Sequence, residues 1–240
     1  MTGVLYGVGV GPGAPDLLTL RAARTIRAVP VVCAPRRTAS TESYALAVVR
    51  DLLDLTRQEL VELAFPMARD PDLVRRARDE AAARVGAILS TGRDVAFITE
   101  GDPLLYSTFV HLYRRLRAAS PPVQVEIIPG VTSVTAAAAV AGLPLADGTE
   151  PLAVVPATCG REGLRTALRD FDTVALLKVS PVFDRVLDLL EELNLVENAV
   201  YVSRAGTPEQ RVEADVRALR GQPLDYLSLI LVKTTREAEP

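Results

Sequence analysis

Three short segments of the sequence carry the residue types from which a ligand site could be built. Residues 7–13 hold four glycines and one proline, residues 99–106 hold two carboxylates around a Gly-Asp-Pro turn, and residues 128–133 end in threonine and serine. Glycine lets the backbone turn tightly and approach a ligand closely. A carboxylate can attract a cation or accept a proton, and a hydroxyl can form hydrogen bonds. The three segments are therefore our first candidates for a functional site.

The elements around these segments alternate between strands and helices. Apolar runs predict strands at residues 4–8, 29–33, 94–99 and 123–128, and periodicity predicts a helix at about residues 16–28. A longer helix follows Asp70, which suits an N-cap, and Pro71, which suits the first helical position. This alternation predicts a mainly parallel sheet, whose carboxyl edge is where ligands bind. We expect the three segments to converge on that edge.

A turn-rich stretch at residues 142–148 interrupts the pattern, after which strands and helices resume. The later predicted strands are residues 152–155, 173–177, 199–202 and 226–232, with helices at about residues 161–169 and 181–193. Each part is long enough to form an α/β layered structure. The sequence therefore predicts two α/β/α domains with mainly parallel sheets, residues 1–145 and residues 146–240.

Each segment also has a plainer interpretation. Gly, Asp and Pro are common turn residues, and a Ser or Thr before a helix can simply cap it. The pattern Gly9-x-Gly11-x-x-Ala14 also satisfies a relaxed dinucleotide fingerprint. Pro12 removes a backbone donor from that loop, and the second strand ends without an acidic residue to hold a ribose. A dinucleotide oxidoreductase is therefore disfavoured, and titration with reduced nicotinamide would test it.

Composition excludes several classes of function. The 240 residues are 49% hydrophobic and 24% charged, as in ordinary globular proteins, with a formal charge of −3. Without a basic excess, nucleic acid is not an expected partner. No run of 18 apolar residues is present, so no membrane span is expected, and the first residues do not resemble a secretion signal.

Metal chemistry is also not expected from this sequence. It contains one histidine, His111, and two distant cysteines, Cys33 and Cys159, in apolar surroundings. A structural or catalytic metal site needs more ligands at closer spacing. We expect both cysteines to be small buried hydrophobic residues in a reducing compartment, and no protein-bound metal.

The order and content of the three segments resemble the tetrapyrrole methylase family. The motifs that carry the resemblance are Gly9-x-Gly11-Pro12-Gly13 with residues 16–21, then Gly101-Asp102-Pro103, then residues 129–133, in a match extending from Val4 to Val232. The resemblance implies two α/β domains with S-adenosylmethionine bound in the cleft between them. It is strongest to the branch that methylates C20 of precorrin-2, through residues 65–67, 201–212 and 226–232 and through Glu100, where uroporphyrinogen methylases carry glycine.

The resemblance also assigns roles to individual residues. Those implied to bind the methyl donor, largely through backbone atoms, are Pro12, Glu100, Gly101, Asp102, Leu105, Thr132, Ser133, Lys178 and Ala205. Candidates to accept the proton that leaves the methylated carbon are Asp102, Glu100 and Tyr106, although solvent could accept it instead. The substrate carries several carboxylates, for which Arg21 and Arg204 are the candidate partners, since arginine binds carboxylates in a bidentate manner.

The function expected from the resemblance is thus a cytoplasmic, homodimeric methyltransferase of cobalamin biosynthesis. It would act on C20 of precorrin-2 or cobalt-precorrin-2, and the sequence does not decide between the two. Another methylase of the corrin pathway, or uroporphyrinogen-III C-methyltransferase, is the alternative within the same class. A non-catalytic tetrapyrrole-binding module is the alternative from a different class, because a fold alone does not establish a function.

Overall fold

Strands and helices alternate along the computed structural model, which describes residues 2–38, 42–68, 70–119 and 122–234. The chain divides into two units, Met1–Thr132 and Ser133–Pro240. In those described parts of the chain, no helix combines the length and apolar character that crossing a bilayer requires.

The first unit is built around a parallel sheet. Its elements are β1 (Leu5–Gly9), α1 (Leu20–Ala28), β2 (Val31–Arg36), α2 (Tyr44–Val49), β3 (Glu59–Ala64), α3 (Pro71–Ser90), β4 (Val95–Thr99), α4 (Phe109–Arg117) and β5 (Val125–Ile128). The strand order is β3-β2-β4-β1-β5, and these strands pair in parallel. The parallel sheet predicted for this part of the sequence is therefore confirmed.

Both faces of this sheet are covered, because successive strand residues point to opposite sides. On one face Val95 and Phe97 pack with α3 and α4, and on the other Ala96 and Ile98 pack with α1 and α2. Cys33 lies in the core, as predicted, and burial raises the pKa of its thiol to about 12. The thiol is consequently not a nucleophile at neutral pH.

The start of α3 shows how a local signal in the sequence sets an element boundary. Asp70 Oδ1 accepts hydrogen bonds from the backbone N–H groups of Asp72 at 2.9 Å and Leu73 at 3.3 Å. These groups have no partner within the helix, so the side chain satisfies donors that would otherwise be unpaired.

We expect Asp70→Ala to lower the free energy of unfolding by about 1 kcal/mol, because the two amides lose their acceptor. Urea denaturation measures the change. Asp72→Ala is the control, since Asp72 lies on the helix surface in an exposed ion pair with Arg75, and pairs of that kind contribute about 0.3–0.5 kcal/mol. Equal losses in the two variants would contradict the capping role.

The second unit has a mixed sheet. Its elements are α5 (Ser133–Ala141), β6 (Leu152–Pro156), α6 (Arg161–Asp170), β7 (Thr173–Leu177), α7 (Phe183–Glu192), β8 (Ala199–Ser203), β9 (Arg211–Glu213) and β10 (Ser228–Lys233). In the order β6-β7-β10-β8-β9, β6 and β7 pair in parallel, whereas the β7–β10, β10–β8 and β8–β9 pairs are antiparallel. The prediction of a mainly parallel sheet is wrong for this unit.

The reason lies in the connections. A parallel pair needs a long crossover, commonly a helix, whereas an antiparallel pair can be joined by a short loop. Between β8 and β10 the described structure contains only the short strand β9 and one 3₁₀ turn, Val216–Leu219. Cys159 also differs from its prediction, because it is exposed in the turn before α6 rather than buried.

The two units meet in sequence at Thr132 and Ser133, whereas the boundary predicted from the sequence lies between residues 145 and 146. The difference comes from α5, whose helix packs against β8 and β10. Its buried residues include Val134 and Ala137. The helix follows the third motif directly in sequence, but its apolar face belongs to the second sheet.

Candidate functional site

The three segments singled out in the sequence leave adjacent strands of the first sheet. In the order β4-β1-β5, Gly9 is level with Thr99, and Val8 is level with Ile128. The backbone N–H of Val10 continues the ladder by donating to the carbonyl of Thr99 at 2.9 Å. Parallel pairing thus brings the three segments to one carboxyl edge, which is where α/β sheets bind ligands.

Beyond the strand ends the segments meet through glycines, which we call the glycine junction: Gly9, Gly11, Gly101 and Gly130. The N–H of Gly101 donates to the carbonyl of Gly11 at 2.7 Å, and these two residues form an isolated antiparallel bridge. A Cβ atom added to Gly130 would lie 2.1 Å from the carbonyl oxygen of Gly101, and one added to Gly9 would lie 2.5 Å from it. Only residues without a side chain allow the three backbones to approach this closely.

The carboxylate of Asp102 ties two of the loops together. Its Oδ1 accepts a hydrogen bond from the N–H of Leu104 at 2.8 Å, and its Oδ2 accepts one from the N–H of Gly130 at 3.2 Å. Because each oxygen accepts a backbone amide, the side chain fixes the loop after β4 against the loop after β5. Asp102 therefore has a structural role, which is to hold these two loops together.

Glu100 lies in a different electrostatic setting, although it is two residues from Asp102. Its side chain is partly buried, and no hydrogen bond or ion pair joins it to any residue in the described ranges. Burial raises the pKa of its carboxyl from the ordinary 4.5 to about 7. A buried charge without a partner is costly, so the environment favours the protonated form until a cation is supplied.

This raised pKa makes stability depend on pH in a defined direction. Above the unfolded-state pKa of 4.5 the unfolded chain has lost the proton that the folded chain retains, so stability falls as pH rises, and the penalty is complete somewhat above pH 7. We expect Glu100→Gln to stabilise the protein by about 1–3 kcal/mol at about pH 8 and by little near pH 4.5. Urea unfolding at both pH values measures this difference. A stabilisation that is equal at the two pH values would contradict the assignment.

The loop that follows the Gly-Asp-Pro turn exposes apolar side chains. Leu104, Leu105 and Tyr106 are all exposed, and Tyr106 adopts φ +53°, in the left-handed region. The hydroxyl of Ser107 anchors the loop, because it lies 2.9 Å from that of Thr99 and accepts the N–H of Phe109 at 3.0 Å. Exposed apolar side chains grouped in this way are typical of surfaces that contact a ligand or a partner.

The remaining predicted residues of the first unit occupy distinct positions. Pro12 is partly buried between Gly11 and Gly13, both of which have positive φ angles. Arg21, on the first turn of α1, forms an exposed ion pair with Glu126 of β5. A partner for Arg21 is therefore already present, and binding of a substrate carboxylate would have to compete with it.

Within the second unit, Lys178 and Arg204 occupy equivalent places. Lys178 directly follows β7 and Arg204 directly follows β8, and both strands run antiparallel to β10, so their carboxyl ends lie at the same edge of the sheet. The backbone N–H of Arg204 donates to the carbonyl of Leu227 at 2.9 Å, and its Nε donates to Oδ2 of Asp225 at 2.6 Å. The next residue, Ala205, is buried.

Strained backbone conformations occur at three of the residues that were predicted to form the site. Among the described residues, four that are not glycine have positive φ, namely Tyr106 at +53°, Lys178 at +57°, Asn194 at +57° and Arg204 at +47°. All but Asn194 were singled out from the sequence. Such conformations cost about 1–3 kcal/mol each, persist only where the surroundings enforce them, and cluster at functional sites.

Two further residues that position these side chains were not predicted from the sequence. Asp225 holds the Arg204 side chain, and Ser107 anchors the loop that carries Tyr106. Both lie within or beside motif segments, and that proximity is the only signal that could have identified them. A group of three or more His, Cys, Asp or Glu side chains arranged to hold a metal ion does not occur in the part of the chain that the structure describes.

Known proteins resemble this chain over nearly its whole length. Residues 4–219 match the sequence model of the tetrapyrrole (corrin/porphyrin) methylases. The chain is 38% identical over 233 residues to the cobalt-precorrin-2 C(20)-methyltransferase of Salmonella typhimurium, with 97% of each chain covered. It is 33% identical over 240 residues to the precorrin-2 C(20)-methyltransferase of a Sinorhizobium species, with 96% of this chain and 95% of the relative covered.

A solved structure agrees with these relatives. The uroporphyrin-III C-methyl transferase from Thermus thermophilus, complexed with S-adenyl homocysteine, superimposes with a TM-score of 0.68 at 26% identity, covering 97% of this chain and 98% of that one. The glycine junction, the match over residues 4–219 and the two full-length relatives are consistent with one another. The chain therefore belongs to the tetrapyrrole methylase family.

Proposed function

We propose that this chain transfers a methyl group from S-adenosylmethionine to C20 of precorrin-2 or of cobalt-precorrin-2, a step in cobalamin biosynthesis. The observation that carries the proposal is the similarity over at least 95% of both chains to two relatives named for that reaction. One relative is named for the cobalt form and the other for the metal-free form, so both substrates belong in the test.

The loops of the first unit support the binding of a methyl donor. S-Adenosylmethionine carries a positive sulfonium, and Glu100 supplies a carboxylate without a partner among the described residues. A Cβ atom added to Gly101 would meet nothing closer than the carbonyl oxygen of Val131, at 4.0 Å, so space is open beside this backbone. We assign the donor to the residues implied by the resemblance, namely Pro12, Glu100, Gly101, Asp102, Leu105, Thr132, Ser133, Lys178 and Ala205.

The chemistry requires orientation more than acid–base strength. The bound donor supplies an electrophilic methyl group to an electron-rich carbon of the reduced tetrapyrrole, so the protein must hold the two at near-attack distance. A proton must then leave that carbon. Of the three candidates, Asp102 has both oxygens occupied by backbone amides and Tyr106 is exposed. The carboxylate of Glu100 has no such partner among the residues that the structure describes. We therefore favour Glu100 as the proton acceptor.

The tetrapyrrole substrate brings several carboxylates, and we propose Arg204 and Arg21 as contacts for them. The ion pair with Asp225 holds the Arg204 guanidinium in place, so less side-chain entropy is lost when a carboxylate binds. The ion pair of Arg21 with Glu126 is more exposed, so it holds that side chain less firmly. Arg204 is therefore the better supported of the two.

The test is methyl transfer from radiolabelled S-adenosylmethionine to precorrin-2, with and without cobalt. We expect label in the tetrapyrrole and one methyl group at C20 by nuclear magnetic resonance. Transfer to another corrin intermediate or to uroporphyrinogen III instead would reassign the branch. Failure to bind both S-adenosylmethionine and S-adenosylhomocysteine would contradict methyl transfer and favour a non-catalytic binding module.

We also propose a homodimer that acts in the cytoplasm without a protein-bound metal, as the resemblance implies. Light scattering coupled to size-exclusion chromatography tests the assembly, and a mass of one chain would contradict it. Metal analysis of the purified protein tests the absence of a bound ion, and a stoichiometric metal would contradict it.

A further inference from the structure

We propose that Glu100 exchanges its proton according to the charge on the sulfur of the bound donor. It is ionised while the sulfonium donor is present and protonated once the donor has become the neutral thioether, S-adenosylhomocysteine. The inference rests on the proposed function, since it assumes that the donor binds at the glycine junction. It assigns to Glu100 the discrimination between donor and spent product.

Among the residues that the structure describes, no charged side chain forms an ion pair with Glu100. The loops that meet at Gly101 are residues 9–13 and 129–132, and neither contains an ionisable side chain. On its own loop, Asp102 is engaged by the N–H groups of Leu104 and Gly130. On the neighbouring strand β2, Arg36 pairs with Glu62.

None of these charged groups contributes to the shift at Glu100, whose pKa is raised to about 7 by burial. Placing a cation next to a partly buried carboxyl lowers its pKa, and replacing the cation by a neutral atom restores the raised value. A bound ligand is therefore the charge that decides its protonation state near neutral pH.

The charges balance across the reaction. The bond between sulfur and the methyl carbon breaks with its electron pair left on sulfur, and a bond forms between that methyl and C20. The bond between C20 and hydrogen then breaks, its electrons return to the ring, and one proton is released. If Glu100 takes up that proton, a carboxylate with a sulfonium becomes a carboxylic acid with a thioether, and the buried site stays electrically neutral in both states.

This coupling predicts opposite behaviour for two ligands that differ by one methyl group. The donor gains attraction from the ionised carboxylate, whereas the product does not. The affinity for S-adenosylmethionine relative to S-adenosylhomocysteine should therefore rise about tenfold between about pH 6 and about pH 8. If the protonation of Glu100 did not depend on the charge of the sulfur, the ratio of the two affinities would not change with pH.

The experiment is isothermal titration of both ligands at about pH 6.5, in two buffers that differ in ionisation enthalpy. We expect S-adenosylmethionine to release about 0.7 proton per site and S-adenosylhomocysteine to release none. Glu100→Gln should lose this difference, and Glu100→Asp, which retains a carboxyl, should keep it. The matched control is Glu80→Gln, on the exposed surface of α3, which should behave as wild type.

The outcomes separate the inference from the function. Binding of both ligands with equal proton release in the wild type, or a difference that persists in Glu100→Gln, would overturn the inference and leave the methyltransferase proposal standing. If neither ligand binds the wild type, the proposed function fails first. Because binding is measured directly, the result does not depend on supplying the tetrapyrrole.

Discussion

Gly130→Ala is expected to abolish measurable binding of S-adenosylhomocysteine and to lower the free energy of unfolding by about 1–3 kcal/mol. The added Cβ would lie 2.1 Å from the carbonyl oxygen of Gly101 and 2.9 Å from the backbone of Gly9. Backbone atoms of neighbouring loops cannot rotate aside as a side-chain tip can, so the loops must separate. Separation would also break the bond from the Gly130 N–H to Asp102.

Isothermal titration and urea unfolding measure the two effects on the same sample. The matched control is Gly86→Ala, in the interior of α3, where the added Cβ would lie 3.6 Å from a Leu116 methyl group in ordinary contact. Alanine in a helix interior is favoured over glycine by about 0.5–1 kcal/mol, so this variant should be at least as stable as wild type and bind normally. Binding by Gly130→Ala within about threefold of wild type would show that the junction does not shape the donor site.

The first sheet and the convergence of three loops on one of its edges could be predicted from the sequence, because local signals and topology agree there. Strand runs such as residues 94–99 are separated by helices, which favours parallel pairing, and parallel pairing places every following loop at one edge. This placement of the loops does not depend on side-chain detail. The contact of Gly101 with Gly11 and Gly130 could not be predicted, since the distance between loops depends on the register of three strands together.

The second sheet was predicted less well, because the local signals in its sequence do not determine the topology. Residues 226–232 read as a buried strand, but a buried strand in a sequence carries no mark of its direction. The antiparallel placement of β10 between β7 and β8 is set by pairing at long sequence separation. The left-handed conformations of Lys178 and Arg204 could not be predicted from the sequence either. Neither residue is a glycine, and a positive φ at such a residue is enforced by its surroundings in the folded protein.

Gly101→Val is expected to weaken S-adenosylhomocysteine binding by more than about tenfold while the protein still unfolds cooperatively. Gly101 has φ +62°, where a β-branched residue is strained, and the valine side chain would project into the open space beside the loop.

Gly142→Val is the matched control. Gly142 has φ +63°, an added Cβ would meet nothing within 4 Å, and the residue follows α5 in the second unit. Both variants carry the same backbone strain, so both should lose about 1–3 kcal/mol of stability, whereas only the Gly101 variant should lose binding. Unchanged affinity in Gly101→Val would remove the loop after β4 from the donor site, and equal loss of affinity in both variants would show that strain in general, and not this loop, impairs the protein.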